Sequence, residues 1–126
     1  MTTDALSIIS DAMAEMGLNY EFMEWKSAPA YPYFVGEYQE TAPMSENGEQ
    51  DTTFILTGFS RDTWQTLEDA KALIENYFNR DYGKVVIADS GNAVAIFYDN
   101  SLVIRQENSE LKRIQINLTI KEWKVN

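Results

Sequence analysis

The stretch that decides the fold runs from residue 31 to residue 77 and reads YPYFVGEYQETAPMSENGEQDTTFILTGFSRDTWQTLEDAKALIENY. Residues 33–40 are predicted to be extended, and residues 52–59 predict a strand because apolar and polar side chains alternate along them. The polar segment 41–50 between them contains Asn47-Gly48, a turn signal, so the strands are predicted to pair as a hairpin. Gly36 indicates a bulge or a close backbone approach in the first strand. This unit is typical of a chain that projects a hairpin and does not enclose a substrate.

The end of this stretch predicts an amphipathic helix. Asp62 or Thr63 can cap its start, and residues 79–83 end it. Its apolar side chains recur at helical spacing on one face: Trp64, Leu67, Ala70, Ile74, Tyr77 and Phe78.

A shorter helix is predicted at the N-terminus, where Thr3 is a candidate cap and Gly17 a candidate stop. Its apolar face comprises Leu6, Ile9, Met13 and Met16. The next strand, 18–26, has apolar groups on both faces, which favours a central position in the sheet or cover on both sides.

The C-terminal half is predicted to be β-structure, with strands at 84–88, 93–98, 102–106 and 111–123. Residues 89–92 and Asp99-Asn100-Ser101 are predicted turns. The last strand alternates four aliphatic residues with uncharged polar ones, which indicates a half-buried central strand: Ile114, Ile116, Leu118 and Ile120. Burying those four contributes roughly 6–12 kcal/mol at most.

These elements predict an α+β fold. Two amphipathic helices pack on a mixed, mainly antiparallel sheet with a projecting β-hairpin. No repeat or linker divides the chain, so residues 1–126 are expected to form a single domain.

Composition argues against catalysis. The chain has no cysteine and no histidine, which removes thiolate chemistry, the commonest general base and the commonest metal ligand. The acidic groups Glu21/Glu24 and Glu46/Glu49/Asp51 are the densest paired carboxylates, but their polar surroundings favour solvated side chains. We therefore expect no enzyme, no catalytic or metal-binding residue and no cofactor. The sequence also shows neither a signal peptide nor a membrane-spanning run, so we expect synthesis in the cytoplasm and no membrane partner.

The net charge of −10 is distributed unevenly. Residues 1–62 hold eleven acids and two bases, whereas residues 63–126 hold nine acids and eight bases. No basic cluster is available to neutralise phosphates, so specific binding of nucleic acid is not expected. The acidic half is either a solvated face that keeps the protein soluble or a surface that mimics DNA or avoids adhering to it.

Tyrosine and tryptophan are the usual anchors of protein interfaces. The candidate aromatic interface residues are Tyr31, Tyr33, Tyr38 and Trp123. The hairpin loop supplies a second candidate interface: Glu46, Asn47, Gly48, Glu49 and Asp51.

The chain resembles the small tail-tube-capping proteins of long-tailed bacteriophages and prophages, known as tail terminator, tail completion or minor tail proteins. The resemblance covers nearly the whole chain. It is carried by the helix ending at Gly17, residues 29–38 (PAYPYFVGEY), the Asn-Gly loop, the strand 54–59, the helix near Trp64, and residues 111–123 (LKRIQINLTIKEW).

The resemblance implies a virion structural protein that assembles as a hexameric ring on the end of the tail tube. The ring would stop tube polymerisation and offer a surface to the head, in contact with tail-tube and head-completion proteins. DNA would pass through without being bound specifically, and the loop at 46–51 would be a candidate for the lumen. The protein would assemble in the host bacterial cytoplasm and end in the virion tail.

Two other functions stay open at this point. An acidic inhibitor or DNA-mimic protein from a mobile element would use the same carboxylates to bind a basic partner. A carboxylate hydrolase would need an apolar cleft that holds two acids.

Overall fold

The computed structural model describes residues 1–28, 30–40, 49–105 and 110–124, and in it each described helix is followed by three strands. The described elements are α1 (Thr3–Glu15), β1 (Asn19–Phe22), β2 (Tyr33–Glu40), β3 (Glu49–Ser60), α2 (Trp64–Tyr77), β4 (Lys84–Ile87), β5 (Ala93–Ile104) and β6 (Lys112–Trp123).

The strands form one six-stranded sheet in the order β1-β2-β3-β6-β5-β4. The pair β1–β2 is parallel, and every other neighbouring pair is antiparallel. The predicted α+β class with a mixed, mainly antiparallel sheet is therefore confirmed.

Strict alternation on the two central strands decides which face of the sheet is buried. From Glu49 in β3 and from Arg113 in β6 onward, the even-numbered residues are buried and the odd-numbered ones lie mostly half-exposed. The buried side chains pack against both helices in a single core that includes Ile9, Met13, Leu67, Ile74, Phe54, Leu56, Ile114, Ile116, Leu118 and Ile120. We call this the helix face, and the opposite one the open face, since neither described helix covers it. The core role predicted for the last strand is confirmed.

The first helix is fixed to the end of β6. Its N-cap is Thr2, not the predicted Thr3: the Thr2 hydroxyl accepts from the Ala5 N–H at 3.2 Å. Both the N–H of Thr2, at 3.1 Å, and its hydroxyl donate to Oε1 of the buried Glu122. One residue thus caps the helix and joins it to the sheet, which explains why the cap precedes Thr3. Gly17 (φ +73°) follows the end of α1 as predicted.

The strand predicted at 18–26 is wrong in length and in position. Only Asn19–Phe22 form β1, and β1 lies at the edge of the sheet, not at its centre. Met23 has a positive φ of 70°, which ends the strand and redirects the chain. The apolar residues beyond it, including Trp25, belong to a loop that folds over the open face. That loop accounts for a pattern that resembled a strand covered on both sides.

The predicted turn at Asp99-Asn100-Ser101 is also wrong. Residues 93–104 form the single strand β5, whose pairing with β6 shifts between Tyr98 and Asn100 as at a β-bulge. The polar groups find partners there: Asn117 Nδ2 donates to Asn100 Oδ1 at 2.7 Å, and Arg80 donates to the Asp99 carbonyl at 2.7 Å. Because the bulge satisfies these groups, the polar triplet does not reverse the chain. The strand predicted at 102–106 ends at Ile104, before the described Arg105, and residue 106 lies outside the described residues.

The central hairpin is confirmed as the antiparallel pair β2–β3, and its arms lie within the sheet. Gly36 marks a close approach and not a bulge, because a Cβ there would lie 2.6 Å from the Phe54 ring. The connection 41–48, which includes Glu46, Asn47 and Gly48, lies outside the described residues. The second helix begins as predicted, with Thr63 at its N-cap.

We expect Gly58→Ala to destabilise the fold by about 1–3 kcal/mol, as overpacking of a core does. A Cβ at Gly58 would lie 2.4 Å from the ring of the fully buried Phe34. Urea denaturation measures the free energy of unfolding. Combining the change with Phe34→Leu provides the control, since removing the ring should relieve the clash and make the two losses strongly non-additive. Simple additivity would show that the clash is not the cause.

Burial raises the pKa of Tyr20 from 10.0 to about 12. Because the folded state holds this proton more tightly than the unfolded state, its contribution to stability is complete below pH 10 and is lost as pH rises toward 12. Over that range we expect the free energy of unfolding to fall less steeply with pH in Tyr20→Phe than in the wild type. Urea denaturation at a series of pH values from about 9 to about 12 tests this. An equally steep loss in the variant would contradict it.

Candidate interface site

The loop after β1 crosses to the open face and is held there by a carboxylate. Glu21 accepts hydrogen bonds from the backbone N–H of Lys26 at 2.8 Å and of Ser27 at 3.4 Å, and from the Ser27 hydroxyl at 3.1 Å. The Lys26 N–H is the main reason that the pKa of Glu21 is lowered. The charged form of Glu21 therefore fixes the loop that carries Trp25.

Aromatic rings line up across the open face beside this loop. Trp25 lies 4.6 Å from Tyr33 between ring centroids, and Tyr33 lies 4.9 Å from Phe59 on the neighbouring strand. Tyr31 packs at the side of Tyr33, at 5.4 Å. The register explains the central contact, since Tyr33 and Phe59 are direct cross-strand partners.

Two arginines complete the site. Arg61 Nε donates to the Tyr31 hydroxyl at 3.2 Å, and its guanidinium lies 5.6 Å from the centre of that ring. Arg113, the β6 partner of Phe59, places its guanidinium 5.7 Å from the Phe59 ring centre. We call the six residues the aromatic–arginine cluster: Trp25, Tyr31, Tyr33, Phe59, Arg61 and Arg113.

A pocket of about 410 Å³ opens beside the cluster, lined by four of its members together with Met23, Glu24, Val35, Glu37 and Thr57. Two hydrogen-bond donors at this site, Trp25 Nε1 and Arg113 Nε, are buried without an acceptor among the described residues. Within the described part of the chain Arg113 has no carboxylate in salt-bridge range, whereas Glu24 is paired with Lys26 at 3.5 Å. A buried donor without a partner costs about 1–3 kcal/mol, so the site is favourable for an acceptor supplied from outside.

The chemistry of the cluster is that of recognition. Burial, and next the neighbouring Tyr31, raise the pKa of Tyr33, while Arg61 and Arg113 act in the opposite direction. A guanidinium that lies over a ring keeps its planar set of donors and binds carboxylates well. Tryptophan, tyrosine and arginine are also the residues most enriched in interface hot spots.

The four candidate aromatic interface residues lie at three different places in the structure. Tyr31 and Tyr33 meet in the cluster. Tyr38 lies on the helix face, where it stacks on Phe22 at 6.1 Å. Trp123 is on the open face, but ten residues along β6 from Arg113, which is roughly 33 Å at about 3.3 Å per residue.

The loop candidates are described only in part. Glu49 and Asp51 lie at the start of β3 on the open face, opposite Trp123 and Lys121 of β6. They are therefore at the other end of the sheet from the aromatic–arginine cluster. Whether they line a DNA path stays a prediction.

Sequence reasoning missed four members of the site: Trp25, Phe59, Arg61 and Arg113. Phe59 had a signal, because it ends the predicted strand that pairs with the one beginning at Tyr33. Trp25 had been assigned to a strand. The two arginines are 52 positions apart and meet only through the β3–β6 register.

The described residues also bear on metal binding and membrane insertion. No group of three or more potential metal-ligating side chains occurs among those residues. None of the helices in this part of the chain has the length and apolar character needed to cross a membrane.

No protein-family model matches the sequence, and neither does any curated protein. The fold does match solved structures. One is a chain of a structure described as the virion of a native gene transfer agent (GTA) particle, with a TM-score of 0.64 and 13% sequence identity. The match covers 88% of this chain and 83% of that chain. At this identity the likeness shows a shared fold.

We expect Arg113→Met to change the unfolding free energy by less than about 1 kcal/mol, since it removes a buried donor that lacks a partner and keeps a long side chain on Phe59. Arg80→Met is the matched control. Arg80 also lies over a ring, Tyr98 at 5.6 Å, but it donates to the Asp99 carbonyl. Urea denaturation should therefore show the larger loss for Arg80→Met. A loss above about 2 kcal/mol for Arg113→Met would mean that the guanidinium stabilises the sheet.

Proposed function

We propose that the protein is a structural component of a phage or phage-like virion. The observation that carries this proposal is the fold likeness to the GTA virion chain, which extends over most of both chains. It agrees with the resemblance to tail-tube-capping proteins in the sequence. An open sheet face with an aromatic–arginine cluster also suits a protein that works by contact with other proteins.

The finer role that we propose is a cap on the tail tube, assembled as a ring of six copies that offers the head a docking surface. The charge supports it, since a net charge of −10 with few bases in the first half gives DNA little to adhere to as it passes. The partners would be other copies of the chain, the tail tube and head-completion proteins.

The proposed role is not enzymatic. Glu21 belongs to one of the two densest carboxylate groups, yet its pKa is lowered by hydrogen bonds that hold a loop. A general acid needs a raised pKa, so this carboxylate is better suited to fixing structure than to catalysis.

Deleting the gene in a particle-producing bacterium tests the role. We expect tail tubes of irregular and excessive length together with DNA-filled heads that lack tails, seen by negative-stain microscopy. Expression of the intact chain in trans should restore normal particles. Mass spectrometry of purified normal particles should detect the protein. Particles of normal form from the deletion strain, with the chain absent from wild-type particles, would overturn the proposal.

The acidic inhibitor or DNA-mimic is the alternative function. It predicts that particles form normally without the protein and that the purified chain captures a basic partner as a monomer or dimer. The deletion experiment therefore separates the two functions.

A further inference from the structure

The edge of the sheet formed by β4 carries exposed aliphatic side chains. Val85 and Ile87 are 61% and 75% exposed, and the register places both on the open face, next to Ala95 and Ala93 of β5. β4 is also the last strand of the sheet, so β5 is its one neighbour among the described strands. Exposed aliphatic edges of this kind promote association, and soluble proteins usually protect them with lysine, proline or a covering element.

Carboxylates surround this edge. A groove of about 330 Å³ between α1 and β4 is lined by Ile8, Val86 and Ile87 and by three aspartates, Asp4, Asp11 and Asp89. Asp4 accepts from Ser90 at 2.8 Å and from Asn92 at 3.2 Å, which ties the β4–β5 turn to the helix. We call Asp4, Asp11, Asp89, Val85 and Ile87 together the acidic edge.

The aromatic–arginine cluster lies toward the opposite edge of the same sheet. Trp25, Tyr31 and Tyr33 belong to the β1–β2 side, whereas β4 is the sixth strand in the order. The two surfaces are complementary. One offers arginines and buried donors without acceptors beside aromatic rings and Met23; the other offers carboxylates beside aliphatic side chains.

We propose that the aromatic–arginine cluster of one copy binds the acidic edge of the next copy. Asp11 or Asp89 would supply the acceptor that Arg113 lacks and a further carboxylate for Arg61, which within its own copy lies 4.0 Å from Glu110. Val85 and Ile87 would pack against Met23 and the rings. The occupant is a second copy because this chain carries both halves of the contact: donors without acceptors beside aromatic rings on one surface, and carboxylates beside aliphatic side chains on the other.

The contact is heterologous, since it joins two different surfaces. Head-to-tail contacts repeat from copy to copy and close into a ring when the rotation between copies allows it. The inference therefore rests on the proposed ring and identifies the surfaces that would build it.

Two single variants test the contact: Arg61→Glu for the cluster and Ile87→Glu for the acidic edge. Both residues are exposed, so the fold should be retained and is checked by circular dichroism. Each variant should weaken self-association at least about tenfold in sedimentation equilibrium, the size expected for one lost hot-spot contact. Leu73→Glu is the matched control, because Leu73 is 47% exposed on α2, away from both surfaces, and should associate like the wild type.

Mixing the two variants gives the sharpest result. Each retains one intact surface, so a heterologous contact predicts one-to-one heterodimers that cannot grow into rings. Wild-type protein that stays monomeric at millimolar concentration, or a mixture that forms no heterodimer, would overturn this inference. If the protein is found in virions but fails these association tests, the contact is overturned and the proposed function stands. If heterodimers form but the deletion strain makes normal particles, only the proposed function is overturned.

Discussion

The structure depends on the antiparallel ladder between β3 and β6, which runs without interruption from Glu49↔Trp123 to Ser60↔Lys112. Side chains alternate between faces along both strands, so this register places Phe54 and Leu118 side by side under the helices. A shift of one residue in either strand would move its apolar set to the open face and unpair it from the core. The same alternation brings Phe59 and Arg113 together on the other side.

The two faces of the sheet differ in what they contribute to stability. The helix face buries Leu56 of β3 and the four aliphatic residues of β6, and α1 attaches to this face through Thr2 and Glu122. On the open face, two buried donors lack acceptors among the described residues, Trp25 Nε1 and Arg113 Nε, and on the helix face Thr52 Oγ1 and Glu122 Oε2 lack partners among them. Folding gains nothing from such groups, whereas a partner that supplies an acceptor gains a strong and directional contact. The two donors of the open face belong to residues that line a pocket, which is a reason to interpret this face as an interface.

Much of the fold followed from local pattern, and the failures have physical causes. The last strand was predictable because one of its faces is buried along nearly its whole length, whereas residues 33–40 bury one face only in their first half. β1 was misjudged because Trp25 packs through a loop, and periodicity cannot distinguish this from a strand. The hairpin register was also beyond prediction: a two-residue turn at 47–48 would pair Glu40 with Ile55, but the structure pairs it with Thr52. The aromatic–arginine cluster is equally hard to predict, because only the strand register brings its residues together.

Folding brings together charges from the acidic and the near-neutral halves of the sequence. Along the sequence the acids are concentrated in residues 1–62, yet Arg61 from that half joins Arg113 from the other, and Asp4 and Asp11 join Asp89. In the folded chain the two arginines lie toward one edge of the sheet and the three aspartates lie at the other. With a net charge of −10, copies repel one another at long range, but a Debye length of about 8 Å at physiological salt screens that repulsion. Contact pairs and apolar packing are screened much less, so the net charge does not prevent copies from associating at physiological salt.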